Sequence, residues 1–282
     1  GDLVYGYDNL DRRIAISGSL ASVLLPQPVE SVVYDEANRP QRAGDRAFSF
    51  DANGNLTLVA GPGSTRAFAW DALDRLAAAG TDGPITSFAY DALGRRTARD
   101  DDEGRTMFVH DVTDVVRDLA SSGARDYLRG IARDELFAVA DRVALADGLG
   151  SLLAPVDADG EISDTLRYEP FGRTISSAPT SLRYGFTGRE REDEDLYYFR
   201  ARYYHAGLGR FISEDPLGLP SGVNAYVYGF NDPVNVVDPT GLRTYVLHGV
   251  WPERAAFDDF AAALRTAGPH TQTLAWNGRA FG

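Results

Sequence analysis

The chain has 282 residues, of which 44% are hydrophobic and 11% aromatic, a composition typical of a folded protein with one large or two ordinary cores. The net charge is −13, and the 28 basic residues, all Arg, are scattered among carboxylates, which argues against a nucleic-acid-binding surface. The absence of Cys excludes a disulfide framework and a thiolate nucleophile, and the four His residues are too dispersed to predict a metal site.

The N-terminal residues show no charged leader followed by an apolar core, and no stretch of about 18 apolar residues occurs in the chain. The sequence therefore predicts neither a signal peptide nor a membrane span. The first residues already belong to a repeating pattern and are not preceded by Met, so we expect the chain to be part of a longer protein.

A short motif recurs through the first part of the chain: an aromatic residue, an Asp, and a turn ending in Gly, Asp or Asn, often followed by Arg. Its copies begin at Tyr7, Tyr34, Phe50, Trp70 and Tyr90, and from Phe50 to His110 the spacing is 20 residues at each step. Strand-prone flanks predict that each copy is a β-hairpin, and stacked hairpins would bury a continuous face. We expect His110 to be a packed structural residue in an aromatic position.

Two segments rich in aromatic residues and Arg follow the repeats, at residues 183–189 and 196–204. Their composition predicts two neighbouring strands. The acidic run between them, at residues 190–195, is expected to form a solvated surface.

Two copies of a D-P-x-G motif lie further on, beginning at Asp215 and Asp238, on either side of an aromatic-rich segment. Taken alone, each copy favours a turn, since Pro fixes φ and Gly accepts positive φ. The other interpretation is that the two carboxylates meet. Two carboxylates within hydrogen-bond reach share a proton, so that one can activate water while the other donates a proton.

The segment from Arg243 onward loses the hairpin pattern and predicts a strand at 244–249, a helix at 253–267 and a strand at 271–276. This order is typical of the opening of an α/β domain. An apolar strand ending in His248 and Gly249 resembles the oxyanion-loop region of α/β-hydrolases, in which backbone N–H groups face a tetrahedral oxyanion. An ordinary strand-end turn explains the same two residues equally well.

The repeats, together with the motifs G-F-T-G-R-E at 185–190, Y-Y-F-R-A-R-Y-Y at 197–204, G-R-F-I-S-E-D-P-L-G-L at 209–219 and D-P-T-G-L at 238–242, resemble the Rhs family with its Rhs-associated core. The resemblance covers nearly all of residues 1–242. One departure is His205-Ala206, where the family favours an Asp-Pro type of turn.

The resemblance implies a mainly β fold: hairpins wound as a spiralling sheet that forms part of a hollow shell, similar to the shells of Tc toxin C subunits and teneurins. Residues 1–180 would form the shell segment and 181–242 a core that plugs it. Residues 243–282 would be the N-terminal part of a variable toxin domain that is incomplete here, and a hydrolase is the expected class of that domain. The expected partners are this cargo, a cognate immunity protein and a secretion apparatus of type VI or another type, with delivery into a target cell.

The resemblance also implies that the core is an intramolecular aspartyl protease. Asp215 and Asp238 would be its catalytic carboxylates, Arg210 a supporting cation, and Leu242-Arg243 the scissile bond. Because the peptide bond belongs to the same chain, proximity would allow a single turnover without a cofactor. Arg210 could equally form a structural pair with a neighbouring carboxylate, and the repeats could form a non-catalytic container or an adhesion or carbohydrate-binding surface.

Overall fold

The computed structural model describes residues 3–8, 13–18, 25–26, 31–82, 85–131, 133–162, 165–175, 182–218, 224–242, 245–246 and 272–273. Within these residues the regular structure is almost entirely β, which confirms the predicted fold class. The helical elements there are single 3-10 turns at Phe186–Gly188, Ala206–Leu208 and Gly229–Asn231. No helix of the described part is long and apolar enough to cross a membrane.

A hairpin of β1 (Val4–Tyr7) and β2 (Arg13–Ser17) precedes a single sheet of 14 antiparallel strands in which each strand pairs with its neighbours in sequence. The strands of this sheet are β3 (Val32–Tyr34), β4 (Pro40–Ala43), β5 (Arg46–Phe50), β6 (Leu56–Gly61), β7 (Ser64–Trp70), β8 (Leu76–Thr81), β9 (Ile85–Tyr90), β10 (Arg96–Asp101), β11 (Gly104–Asp111), β12 (Asp114–Ala120), β13 (Gly123–Arg129), β14 (Leu136–Val139), β15 (Arg142–Ala146) and β16 (Leu152–Val156). The predicted stack of hairpins is thereby confirmed.

The repeated Asp closes each turn with its own carboxylate. One oxygen of Asp71 accepts from the backbone N–H groups of Leu73 and Arg75, at 2.9 and 3.0 Å, and the other accepts from Arg75 Nε at 2.8 Å. Asp91 repeats this pattern with Leu93 and Arg95. The motif recurs because an Asp side chain satisfies turn N–H groups that the ladder leaves free.

The aromatic residue of each repeat ties one hairpin to the preceding one. Trp70 Nε1 donates to the Leu56 carbonyl and the Tyr90 hydroxyl to the Leu76 carbonyl, both at 2.7 Å. The residue stands at a register shift in the pairing of its strand, as between Ala69 and Trp70. A β-bulge of this kind turns the side chain toward the neighbouring hairpin.

The last third of the described chain covers one face of the sheet. Its strands are β17 (Arg167–Tyr168) and β18 (Thr174–Ile175), which pair with each other, and β19 (Glu190–Arg191), β20 (Leu196–Phe199), β21 (Arg202–His205) and β22 (Arg210–Phe211), which form a four-stranded sheet. One core cluster joins the two layers, with Phe48, Phe68 and Phe88 of the large sheet against Tyr198 and Tyr203. We call residues 182–242 the core segment.

The acidic run at 190–195 is only partly solvated, which corrects the sequence-based expectation. Glu190 and Glu192 are buried and form ion pairs with Arg96 of β10, whose side chain is 1% exposed. Glu190 also pairs with Arg183 at 3.1 Å. The local sequence of an acidic run does not reveal a cation that is distant in the chain. Here that cation is Arg96, a residue of the large sheet.

Three short strands end the described chain. β23 (Val236–Val237) pairs antiparallel with β24 (Tyr245–Val246), and β24 pairs in parallel with β25 (Gln272–Thr273). Both β24 and β25 fall within the two strands predicted after Arg243. The helix predicted between them, at 253–267, lies outside the described residues.

Candidate active site

Both D-P-x-G motifs form turns closed by their own aspartate. One oxygen of Asp215 accepts from the Leu217 N–H at 2.9 Å. The corresponding oxygen of Asp238 accepts from Thr240 and Leu242 N–H groups at 3.3 and 3.2 Å. The glycines that end the two motifs have φ of +67° and +68°, which L side chains rarely adopt. Each motif is therefore a turn former, as its composition predicts.

The two aspartates also meet, although they belong to different turns. Their second oxygens face the same guanidinium nitrogen, Arg202 Nη2, at 2.9 Å from Asp215 and 3.6 Å from Asp238. All three side chains are buried, with exposures of 3 to 6%. The structure thus brings the predicted carboxylates together around one cation.

Arg202 is fixed on all sides. Its guanidinium carbon lies 3.6 Å from the centre of the Phe211 ring, Nη1 donates to the Ala225 carbonyl at 2.9 Å, and Nε donates to the Gly241 carbonyl. Burial lowers the pKa of Arg202, while the charges of Asp238 and Asp215 act in the opposite direction. The site therefore places one buried cation between two buried carboxylates.

Arg210, the predicted supporting cation, lies elsewhere. Its Nη1 donates to the Asn38 carbonyl at 2.7 Å, and its guanidinium carbon is 5.0 Å from the Tyr34 ring centre. Successive residues of a strand point to opposite faces, so Arg210 faces away when its neighbour Phe211 stacks on Arg202. The cation that contacts both aspartates is therefore Arg202, and Arg210 joins the core segment to the first strands of the large sheet.

The turn between β20 and β21 holds the loop at 238–242. Three consecutive residues of that turn donate to three consecutive carbonyls of the loop: Arg200 Nη1 to Pro239, the Ala201 N–H to Thr240 at 3.2 Å, and Arg202 Nε to Gly241. Fixed carbonyls leave the loop few alternative conformations. Leu242, the residue that precedes the predicted scissile bond, therefore follows a constrained backbone.

In the sequence, the predicted scissile bond falls between two strands that pair with each other. β23 ends at Val237, the loop at 238–242 follows, and β24 returns antiparallel, with Val237 opposite Tyr245. Leu242 is described and donates its N–H to Asp238. Arg243, His248 and Gly249 lie outside the described residues.

The described residues contain no group of three or more His, Asp or Glu side chains arranged to hold a metal ion. They do contain two aspartates that meet beside an aromatic cluster of the core segment. This core segment packs on a β-sheet of hairpin repeats whose turns are closed by Asp. Together these features define a YD-repeat shell segment with its core segment.

The family model of the teneurin YD-shell matches residues 2–234, and the chain belongs to this family. The Rhs-type motifs of the sequence point to the same family. The toxin subunit YenC1 of Yersinia entomophaga is 35% identical over 118 residues, covering 40% of this chain and 12% of that protein. The toxin protein Tse5 of Pseudomonas aeruginosa is 47% identical over 73 residues, 25% of this chain and 6% of that protein.

A solved structure of TcdB2-TccC3 without its hypervariable C-terminal region has a similar fold, with a TM-score of 0.57 and 18% identity. The match covers 85% of this chain and 17% of that one. The chain thus spans a small fraction of the length of these three proteins.

Sequence reasoning missed Arg202. The sequence feature that could have indicated Arg202 is its position in an aromatic-rich strand. In the structure, all four residues of that strand, Arg202–His205, are buried. A cation in such a position requires carboxylate partners, and the two D-P-x-G aspartates are the residues that could supply them.

Proposed function

We propose that this chain is part of an Rhs-type toxin shell whose core segment cuts its own peptide bond between Leu242 and Arg243. The observation that carries the proposal is the convergence of Asp215 and Asp238 on Arg202. A second observation supports it: the carboxylate of Asp238 accepts from the N–H of Leu242, so it already contacts the residue that precedes the bond.

The proposed hydrolysis requires that Asp215 and Asp238 share one proton. The ionised carboxylate takes a proton from a water molecule, whose oxygen bonds to the Leu242 carbonyl carbon. The protonated carboxylate donates its proton to the carbonyl oxygen, which gives a tetrahedral diol. The other carboxyl, which took the proton from water, then donates it to the Arg243 nitrogen as the C–N bond breaks, while the first carboxylate takes a proton back from a hydroxyl of the diol. The products are a carboxyl group on Leu242 and an amine on Arg243. Arg202 stabilises the anionic charge of the pair, and the fixed loop supplies the proximity that a single turnover needs.

The segment that begins at Arg243 would be the cargo. The parallel pairing of β24 with β25 supports an α/β domain there, and a hydrolase of the lipase or esterase class is our proposal for its complete form. The names of the toxin subunit YenC1 and the toxin protein Tse5 support a toxin role. On this proposal the protein is exported, its cargo enters a target cell, and the producing cell holds an immunity protein against it.

The first experiment is intact mass measurement and N-terminal sequencing of the purified chain. We expect a fragment of residues 243–282 in the parent and none in Asp215→Asn or Asp238→Asn. The matched control is Asp157→Asn, because Asp157 closes a turn through the same N–H contacts, at 3.0 and 2.9 Å. An uncut but folded parent would refute self-cleavage, and cuts at the two Asp-Pro bonds would indicate acid lability instead.

One observation favours a second candidate function. Both aspartates are already satisfied as turn formers, and Arg202 neutralises buried charge in a way that structural ion pairs do. A non-catalytic container, or an adhesion or carbohydrate-binding surface, would need no more than this. The same experiment separates the two functions, since a container predicts an intact parent under every condition in which it is folded.

A further inference from the structure

A second, partly buried charge cluster lies behind the loop at 238–242 and links it to the large sheet. Arg200, in the turn between β20 and β21, contacts three segments at once. Nη2 lies 2.5 Å from Asp114 and 2.6 Å from Asp134, while Nη1 donates to the Pro239 carbonyl. Asp114 begins β12 and Asp134 lies in the loop before β14, so both carboxylates belong to turns of the large sheet.

Asp134 is held on two sides by the core segment. Arg189 Nη1 pairs with the same carboxylate, and Arg189 Nη2 also donates to the Tyr198 carbonyl at 3.0 Å. A Cβ on Gly188 would lie 2.7 Å from the Asp134 carbonyl oxygen, so the two segments pack without space between them. The loop before β14 therefore contacts the docked core segment directly.

The charges of the cluster balance without the loop. Two guanidinium groups, of Arg189 and Arg200, face two carboxylates, of Asp114 and Asp134. The contact from Arg200 to the Pro239 carbonyl is therefore not needed for neutrality. Instead, this hydrogen bond fixes the position of Pro239, the residue that follows Asp238.

The charge of Arg200 does not change with pH in the ordinary range. Burial lowers the pKa of Arg200, but Asp134 and Asp114 raise it by more, well above its usual value. Arg200 therefore stays charged. Its contacts with Asp114, Asp134 and Pro239 change when one of these segments moves.

We propose that Arg200 is a positioning residue that makes self-cleavage depend on docking of the large sheet: the turns at Asp114 and Asp134 hold Arg200, and Arg200 holds the loop that carries Asp238. This inference rests on the proposed self-cleavage. It adds an order of events, in which the sheet closes on the core segment before the bond is cut.

The test uses Arg200→Gln and the milder Asp114→Asn, which leaves Asp134 to hold Arg200. We expect Arg200→Gln to slow self-cleavage about tenfold or more, the scale of one lost charged hydrogen bond, and Asp114→Asn to slow it by a smaller factor. Neither should change the shape of the pH–rate profile. The control is Asp126→Asn, since Asp126 is 60% exposed and pairs with Arg117 on the same sheet. Unchanged rates in folded Arg200→Gln and Asp114→Asn would overturn the proposal.

A second readout does not depend on cleavage. In the Asp215→Asn background, where the chain stays uncut, amide hydrogen exchange reports on the Thr240 and Leu242 N–H groups that contact Asp238. We expect Arg200→Gln to accelerate exchange at these two amides about tenfold, Asp114→Asn to accelerate it by a smaller factor, and Asp126→Asn to leave it unchanged. Unchanged exchange would overturn the coupling, whereas an uncut parent with accelerated exchange would overturn only the self-cleavage.

Discussion

A Cβ placed on Gly241 would stand 2.4 Å from the carbonyl oxygen of Phe199. The loop that precedes the proposed scissile bond therefore lies directly on the backbone of the core segment. A side chain there has no space unless the loop moves, because the obstructing atom is backbone.

We predict that Gly241→Ala abolishes self-cleavage while Asp215, Asp238 and Arg202 all remain. The added methyl would displace the loop from the turn that binds its carbonyls. Intact mass over time measures the loss, and circular dichroism checks that the fold is kept.

The sequence supplies its own control in Gly218, which ends the other D-P-x-G motif. Gly218 has φ of +67° against +68° for Gly241, yet a Cβ there would meet no atom within 4 Å. Gly218→Ala carries the same backbone strain, about 1 kcal/mol, without the obstruction. We expect it to cut at close to the parent rate. Equal losses in the two variants would show that strain alone, rather than the contact with Phe199, limits cleavage.

The two arginines near the site should behave differently. Arg202→Lys keeps the charge but cannot contact the Gly241 carbonyl, the Ala225 carbonyl and Asp215 together. We expect it to slow self-cleavage at least a hundredfold, as measured by intact mass. Arg210→Lys should cut at the parent rate, since Arg210 contacts Asn38 and Tyr34 instead. The reverse ranking would return the cation role to Arg210.

Arg96 should be a major contributor to the docking of the core segment. It lies between Glu190 and Glu192 and 4.3 Å from the Tyr198 ring centre, measured from its guanidinium carbon. Arg96→Met would leave buried carboxylates without their main cation, so we expect a loss of about 3–5 kcal/mol in the free energy of unfolding. Urea titration in the uncut Asp238→Asn background measures it.

The control for Arg96 is Arg105→Met on the neighbouring strand. Arg105 is 58% exposed and pairs with Asp100 at 3.4 Å, a geometry worth less than about 1 kcal/mol. Similar losses in the two variants would mean that the buried ion pairs do not stabilise the docked core segment.

His205 predicts a specific pH dependence of stability. Burial lowers its pKa to about 4, with the charge of Asp195 acting in the opposite direction. The unfolded chain therefore binds this proton first as the pH falls, so the contribution is complete above about pH 6.5 and is lost between there and pH 4. The loss should reach about 3 kcal/mol.

Urea titrations between pH 4 and pH 7 check this, with His205→Gln compared with the parent in the uncut Asp238→Asn background. We expect the variant to lose stability less steeply over that interval, because Gln does not titrate. Parallel curves would place the dependence on other groups.

The large sheet was predictable because its rules are local. The spacing of Phe50, Trp70, Tyr90 and His110 predicts hairpins, and in the structure these residues end, or lie one residue before the end of, β5, β7, β9 and β11. Each turn is closed by an Asp that contacts residues two and four positions on, so a short window of sequence contains the whole interaction.

The site was predictable only in part because its partners are distant in sequence. The turn chemistry of Asp215 and Asp238 follows from composition, whereas their convergence was an expectation from the family resemblance. The family resemblance implies Arg210 as the supporting cation, but strand alternation points its side chain away from the two aspartates. The burial of Glu190 was not predicted because its partner, Arg96, is distant in sequence and lies on the opposite layer.

The strictly sequential order of the large sheet has a consequence for biosynthesis. Each hairpin can form as it leaves the ribosome, yet the apolar face at Phe48, Phe68 and Phe88 is covered by Tyr198 and Tyr203. At synthesis rates of about 5–20 residues per second, that face waits on the order of ten seconds for its cover. The nascent chain is therefore most prone to aggregation, and in greatest need of a chaperone, when its sheet is already built.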